Sequence, residues 1–255
     1  MMENNKKRSN SISLVKLLTN TINIIKKDYI IITPYLILFF LLHSFEQSFF
    51  TSFSKAKTST YLVFIITWLA ELFFKSLTFS MAIDLVNLNR SSVSASIRTV
   101  LKRFVSLVLA AGALSFIVFL LISPLLFKQS SGLINNFVFV ILISFVVLFV
   151  SFMLEFLPVF ILAKNNPWYR AISNTFMFIK NNFKRVFMLM MFIFLVILVN
   201  YFLSALFEQI PLLGKAIFQI IVQGISSAFI CVLAVVFFYE IEQMDTKTVE
   251  GGDSG

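Results

Sequence analysis

Residues 137–163 read FVFVILISFVVLFVSFMLEFLPVFILA, and Glu155 is the single charged side chain among them. This run is longer than the roughly 20 apolar residues that cross the ~30 Å hydrocarbon core of a bilayer. The whole chain has the same character, since 59% of its 255 residues are apolar and 13% are charged. Soluble domains are nearer about 45–50% apolar and about 25% charged. The sequence therefore predicts an all-α, polytopic membrane helical bundle.

Six runs are long enough to be transmembrane spans. We predict a six-span membrane domain over residues 13–242, preceded by a disordered basic N-terminus, 1–12, and followed by a disordered acidic C-terminal tail, 243–255. The first span is the shortest and contains Pro34, which neighbouring helices can accommodate. The predicted spans are residues 29–45, 61–86, 104–127, 137–163, 186–207 and 216–239.

Lys and Arg are distributed unequally between the two sets of connections. The N-terminal segment, the second and fourth connections and the tail hold 16 of them, whereas the other three connections hold 4. Because cytoplasmic loops accumulate Lys and Arg, we predict a multi-pass protein of the cell membrane with both termini in the cytoplasm. This topology also explains the net charge of +9, so we predict no nucleic-acid partner.

A basic amphipathic stretch precedes each odd-numbered span. Its apolar residues follow steps of four, three and four, which place them on one helical face. The first and third stretches also share letters, TNT at 19–21 and SNT at 173–175, which lie 154 residues apart. The pattern predicts a threefold internal repeat of an amphipathic helix and a transmembrane hairpin. The apolar positions are Leu18, Ile22, Ile25 and Tyr29; Val93, Ile97, Val100 and Phe104; and Ile172, Phe176, Ile179 and Phe183.

We predict that the three stretches are basic interfacial helices, although such a stripe is also common on helices that pack against protein. Basic side chains at the cytoplasmic interface attract anionic lipid headgroups. In the third stretch, Asn166 is a candidate N-cap, Pro167 suits the first helical position and Trp168 suits an interfacial aromatic belt. The predicted headgroup contacts are Lys26, Lys27, Arg98, Lys102, Arg103, Lys180, Lys184 and Arg185.

Several segments resemble one protein family. The segments LPVF at 157–160, AIS at 171–173, FIKNNFKRVF at 178–187 and FYEIE at 238–242 are similar to the integral-membrane domain attached to some glycerophosphoryl diester phosphodiesterases, and to its freestanding six-span relatives. The resemblance covers most of residues 15–242 and implies a six-span architecture in a lipid-facing setting. Relatives often carry an acidic residue just before the third amphipathic helix, where this chain has Lys164. The chain leaves no room for the catalytic phosphodiesterase domain, so we expect no hydrolase.

Two charges lie near the middle of the second predicted span. Glu71 and Lys75 are four residues apart, in the order that favours a helical ion pair. Two central charges cost roughly 5–7 kcal/mol, which the apolar side chains of the span about offset. We predict a mutually compensating pair that faces the bundle, with a proton or substrate path as the alternative. The other predicted intramembrane polar residues are Glu155 and, as interhelical hydrogen-bond partners, Asn200, Gln219 and Gln223.

Little in the sequence favours catalysis. A single Cys and a single His exclude a multi-histidine or thiolate metal site, and we predict no cofactor. No Gly-rich phosphate loop or nucleophile elbow occurs. Asp84 and Glu240 end even-numbered spans, where they could hold the basic helices against the bundle.

We therefore predict a non-enzymatic membrane protein that organises lipid or a partner protein at the cytoplasmic leaflet. The alternative is a transport subunit, such as an ABC-exporter-like permease with an ATPase partner, or another small transporter. Only Gly112 and Gly224 lie inside the spans, whereas transport helices usually use more small or helix-breaking residues.

Overall fold

The computed structural model describes residues 13–42, 57–127, 137–207 and 212–250, and over these ranges the chain is all-helical. In α2 the first turn, Tyr29–Ile32, is a 3-10 helix. The helices are α1 (Leu14–Lys27), α2 (Tyr29–Leu42), α3 (Lys57–Leu88), α4 (Val93–Phe127), α5 (Phe137–Leu162), α6 (Trp168–Asn181), α7 (Phe183–Phe207) and α8 (Leu212–Glu250).

Five helices in the described part of the chain are long and apolar enough to cross a membrane, as expected of a multi-pass membrane protein. The first predicted span corresponds to α2, which is shorter in its described part, and its predicted end at residue 45 lies outside the described residues. The candidate spans are Leu62–Leu88, Val93–Ser123, Ile143–Leu162, Phe183–Leu206 and Ile220–Met244.

The last helix is longer than the sequence predicted. α8 continues to Glu250, so residues 243–250 are helical rather than part of a disordered tail. The predicted N-terminal segment, 1–12, and the end of the tail, 251–255, lie outside the described residues.

The centre of the bundle is formed by α5 and α8. Half of the residues in the most apolar part of each helix are buried, against 17–22% in the other three candidate spans. Aromatic rings join these helices to α6, because Phe178 contacts Phe156, Phe160 and Phe238 at centroid distances of 5.3, 5.7 and 5.3 Å. By contrast, α7 exposes most of its large apolar side chains. Such a surface suits contact with lipid tails, because the tails are equally apolar.

Two of the three amphipathic stretches form separate helices, and the second does not. A break at Asp28 separates α1 from α2, and a break at Asn182 separates α6 from α7. Asp28 has an extended backbone, and its carboxylate accepts a hydrogen bond from the backbone N–H of Ile30. The residue at the corresponding position of the second amphipathic stretch is Arg103, a good helix former, and α4 runs from Val93 to Phe127 without a break.

The first and third amphipathic helices match in position as well as in letters. α1 and α6 each contain 14 residues, and the start and end of one lie 154 residues from those of the other. Thr21 and Thr175 are both fully buried, and their hydroxyls donate to the carbonyls of Leu17 and Ala171 at 2.8 and 2.7 Å. In the second stretch the same position is occupied by Ser96, which is also fully buried.

The turns that follow α3 and α5 each contain an Asn residue in the left-handed conformation. Asn89 and Asn165 adopt positive φ angles of 55° and 56°, the left-handed conformation that ends a helix and that Asn tolerates. The predicted start of α6 is wrong by one residue. Pro167 is the N-cap residue rather than the first helical residue, so Asn166 lies one residue before the cap position. The backbone N–H of Asn166 donates to the carbonyl of Phe160.

Candidate functional site

The most polar part of the membrane-spanning region is an ion pair between α3 and α5. The Nζ atom of Lys75 lies 2.6 Å from Oε2 of Glu155, and the two side chains are 21% and 13% exposed. The predicted pairing of Lys75 with Glu71 is therefore wrong for this structure. The spacing of four residues identifies partners only within the same helix, whereas Glu155 contacts Lys75 from the neighbouring helix α5.

Glu71 lies one turn before Lys75 on α3 but is exposed on the bundle surface. The helix changes character between these residues: Leu62 and Phe64 to Ile66 are exposed, and from Ser76 to Ile83 every residue is buried. Lys75 therefore stands at the boundary between the lipid-facing half of α3 and the half enclosed by other helices. Glu71 is on the exposed side of that boundary, and Glu155 is on the enclosed side.

Two further polar groups, one on α2 and one on α8, lie within electrostatic range of the ion pair. The hydroxyl of Tyr35 and the thiol of Cys231 are hydrogen-bonded at 3.3 Å, and both side chains are buried. Cys231 interacts electrostatically with Glu155, Lys75 and Glu71, and Tyr35 interacts with both carboxyl groups. We call these five residues the intramembrane polar cluster: Tyr35, Glu71, Lys75, Glu155 and Cys231.

Unsatisfied polar atoms lie beside Lys75. Among the described residues, the buried side-chain atoms without a hydrogen-bond partner are Oε1 of Glu155 and Oγ of Ser76. An unpaired buried polar group typically costs about 1–3 kcal/mol. Nearby, Pro158 lacks the N–H that would bond the carbonyl of Leu154 in a regular helix. Polar atoms at this point of the bundle therefore exceed the partners that the protein gives them.

α3 also carries a row of polar side chains from the cluster towards one end of the bundle. Ser76, Ser80 and Asp84 are spaced four residues apart, which places them on one face of the helix. Both serines are buried, and Asp84 accepts a hydrogen bond from Ser96 of α4 at 3.1 Å. The row links the middle of the bundle to the end at which α3 stops.

The other predicted intramembrane residues do not join the cluster. Asn200 on α7 accepts a hydrogen bond from Ser226 on α8 at 3.1 Å, which is the interhelical contact that the sequence suggested. Gln223 lies half-buried on α8, and the side chain of Gln219 is outside the described part of the structure.

The end of the bundle at which α3, α5 and α8 stop is held together by polar contacts. Glu240 accepts from Lys16 at 3.2 Å and from Asn20 at 2.9 Å, which fixes α1 to α8. Glu240 thus pairs with the first amphipathic helix, as its position suggested. Asp84 contacts the second amphipathic stretch, but through the hydroxyl of Ser96 rather than through a basic side chain. Lys164, just after α5, pairs with Glu242 on α8 at 2.7 Å.

Further contacts fix the C-terminal end of α1 to the turn between α3 and α4. Lys27 donates to Asn89 at 2.9 Å, and Ser91 donates to Asp28. All three amphipathic stretches therefore lie at the same end of the bundle. Of the predicted headgroup contacts, Arg103 and Arg185 are half-buried, and the exposed ones are Lys26, Lys27, Arg98, Lys102, Lys180 and Lys184.

Comparison with protein families, with curated proteins and with solved structures finds no match to this chain. Within the described residues, no group of three or more His, Cys, Asp or Glu side chains is placed to hold a metal ion. Tyr35, Ser76 and Cys231 were not predicted as members of a polar site. Of these three residues, only Ser76 could have been found from the sequence, because it is spaced four residues from Ser80 and eight from Asp84 on one helix.

Proposed function

We propose that the protein is a non-enzymatic, six-span integral membrane protein that organises anionic lipid at the cytoplasmic leaflet. The observation that carries the proposal is the equivalence of α1 and α6. Both are 14-residue amphipathic helices with Lys in the last turn, and both are fixed to the same end of the bundle. A partner protein that binds this surface would use the same basic side chains.

Exposed side chains on these helices suit a membrane surface. Ile22 on α1 and Phe176 on α6 are exposed at equivalent repeat positions, and Trp168 and Tyr169 are exposed at the start of α6. Large apolar and aromatic groups next to Lys and Arg are typical of helices that lie in the headgroup region. Thr21 and Thr175, which precede Ile22 and Phe176 in the chain, are fully buried, so a neighbouring face of each helix packs on the bundle.

The arrangement of α2 supports a sixth span. Tyr35 contacts Cys231 and Leu36 contacts Gly224, so α2 runs antiparallel to α8, starting from the end where α1 lies. A crossing by the predicted first span would place the first connection on the outer side and give three hairpins, each preceded by an amphipathic stretch.

Removal of basic side chains from this surface tests the lipid proposal. We expect Lys180→Gln with Lys184→Gln and Arg185→Gln to reduce the anionic lipid that co-purifies with the protein, because each charge near the surface contributes about 1 kcal/mol. Native mass spectrometry of the protein in mild detergent, after reconstitution in a mixture of anionic and zwitterionic lipid, measures the loss.

The matched control removes the same charge from the predicted outer connections, through Lys55→Gln, Lys57→Gln and Lys128→Gln. This variant should retain as much anionic lipid as the unchanged protein. If the two triple variants lose lipid equally, binding depends on net charge rather than on the amphipathic helices, and the proposal fails.

A transport subunit is the second candidate, and the intramembrane polar cluster favours it. Charged residues inside membrane-spanning helices often mark substrate or proton paths. Mass spectrometry of proteins that co-purify in mild detergent distinguishes the two candidates. An associated ATPase supports transport, whereas a tightly retained lipid without a protein partner supports the first proposal.

A further inference from the structure

The charges of the intramembrane polar cluster do not balance. Two carboxyl groups, Glu71 and Glu155, share one amine, Lys75, and the groups contributed by α2 and α8 are the hydroxyl of Tyr35 and the thiol of Cys231. With both carboxyls ionised, the cluster carries one surplus negative charge inside the membrane-spanning region. Because an unpaired charge is disfavoured there, one proton per cluster is the neutral and favoured state.

Lys75 is positioned to form an ion pair with either Glu155 or Glu71. In the structure it contacts Glu155 across the helix interface at 2.6 Å. Glu71 precedes it by four residues on α3, the spacing at which Glu and Lys side chains meet on a helix. A rotation of the flexible lysine side chain would therefore exchange one ion pair for the other without moving a helix.

We propose that Glu71, Lys75 and Glu155 form a proton-exchange site that holds one proton. When Lys75 pairs with Glu155, the proton is on Glu71 at the exposed side of α3. When Lys75 pairs with Glu71, the proton is on Glu155 at the enclosed side. One carboxyl releases a proton as the ammonium arrives, and the other takes up a proton as the ammonium leaves, so the cluster remains neutral in both states.

A second observation points to the same site. Oε1 of Glu155 is buried and has no hydrogen-bond partner, so it is an oxygen available to accept a proton. The Oγ atom of Ser76, next to Lys75 in the chain and fully buried, is also without a partner. Protein sites that store one fixed ion pair usually satisfy both carboxylate oxygens, because unpaired ones are costly.

Labelling with dicyclohexylcarbodiimide tests this site, because the reagent is apolar and reacts with protonated carboxyls. The carboxyl oxygen bonds to the central carbon and the proton moves to a nitrogen, so the reagent adds without a leaving group and without oxidation or reduction. The protein is labelled in lipid nanodiscs at pH 7, and its peptides are identified by mass spectrometry. In the unchanged protein we expect the label on Glu71.

The decisive variant is Glu155→Gln, which removes one carboxyl at constant side-chain shape. Lys75 then has Glu71 as its carboxyl partner in the site, so the proton leaves Glu71 and most of the labelling of Glu71 is lost. In Lys75→Met with Glu155→Gln, Glu71 has no amine partner, and its labelling returns. This return excludes loss of access or misfolding as the cause of the fall.

Three results would overturn the proposal. The first is an unlabelled Glu71 in the unchanged protein. The second is equal labelling of Glu71 in the unchanged protein and in Glu155→Gln. The third is a Glu155→Gln protein that does not fold, since Lys75 would then be unable to use Glu71 as its partner. None of these results bears on lipid binding by the amphipathic helices, so the two proposals can fail separately.

Discussion

Lys75→Met is expected to lower the free energy of unfolding by about 3–5 kcal/mol, the range found when one partner of a buried ion pair is removed. The substitution leaves the carboxyl of Glu155, which is 13% exposed, without the ammonium that lies 2.6 Å away. The carboxyl must then remain as an unpaired anion or take up a proton, and in either state the ion pair that joins α3 to α5 is lost. Unfolding in one detergent, followed by tryptophan fluorescence or circular dichroism, measures the loss.

The matched double variant is Lys75→Met with Glu155→Leu. It replaces both charges by apolar side chains, so most of the lost stability should return. The corresponding cycle with Glu71→Gln should show weaker coupling to Lys75, because Glu71 is exposed and is not the partner in the structure. If the Lys75 and Glu155 losses simply add, the two residues do not interact in the folded protein.

Gly224→Val is expected to lower the free energy of unfolding by about 1–3 kcal/mol through overpacking between α8 and α2. A Cβ atom at Gly224 would lie 2.8 Å from Cδ2 of Leu36 and 3.5 Å from its Cα. Rotation of Leu36 can relieve the first contact, but the γ carbons of Val extend further towards the backbone of α2. Gly224→Ala should therefore cost less than Gly224→Val in the same unfolding experiment.

Gly112 provides the control for helix propensity. A Cβ atom there would lie 3.9 Å from the ring of Trp68, which is ordinary van der Waals contact. Gly112→Ala should therefore be neutral or stabilising by up to about 1 kcal/mol, since Ala is favoured over Gly inside helices. Equal effects of Ala at positions 112 and 224 would show that α2 does not pack closely on α8.

The sequence predicted the long helices well because hydrocarbon length and backbone hydrogen bonding leave few alternatives. Five of the six predicted spans coincide with long apolar helices of the structure. That the first amphipathic stretch is separated from its span while the second is continuous with it in α4 was not predicted, although both outcomes depend on identifiable residues. The Asp28 carboxylate accepts a hydrogen bond from the backbone N–H of Ile30 where α1 ends, whereas Arg103 at the equivalent position continues the helix.

The candidate site could be predicted only in part. The composition of α3 identified Lys75 as an intramembrane charge, but its partner depends on which helix lies beside it. The periodicity of a single helix contains no information about Glu155, which is 80 residues away in the chain. The buried contact between Tyr35 and Cys231 is similarly long-range, since 196 residues separate them.

The central claim is a six-span topology with the amphipathic helices on the cytoplasmic side. Accessibility of single cysteines to a membrane-impermeant maleimide tests it most directly, in a Cys231→Ser background that keeps a hydrogen-bonding group beside Tyr35. The sites are Asn23→Cys on α1, Asn174→Cys on α6, and Ser54→Cys and Ser130→Cys in the first and third connections; Asn23 and Asn174 are exposed. In intact cells we expect labelling at 54 and 130 only, and at 23 and 174 after permeabilisation. Labelling of 23 and 54 from the same side would show that α2 does not cross the membrane, and labelling of 174 in intact cells would contradict the cytoplasmic position of α6.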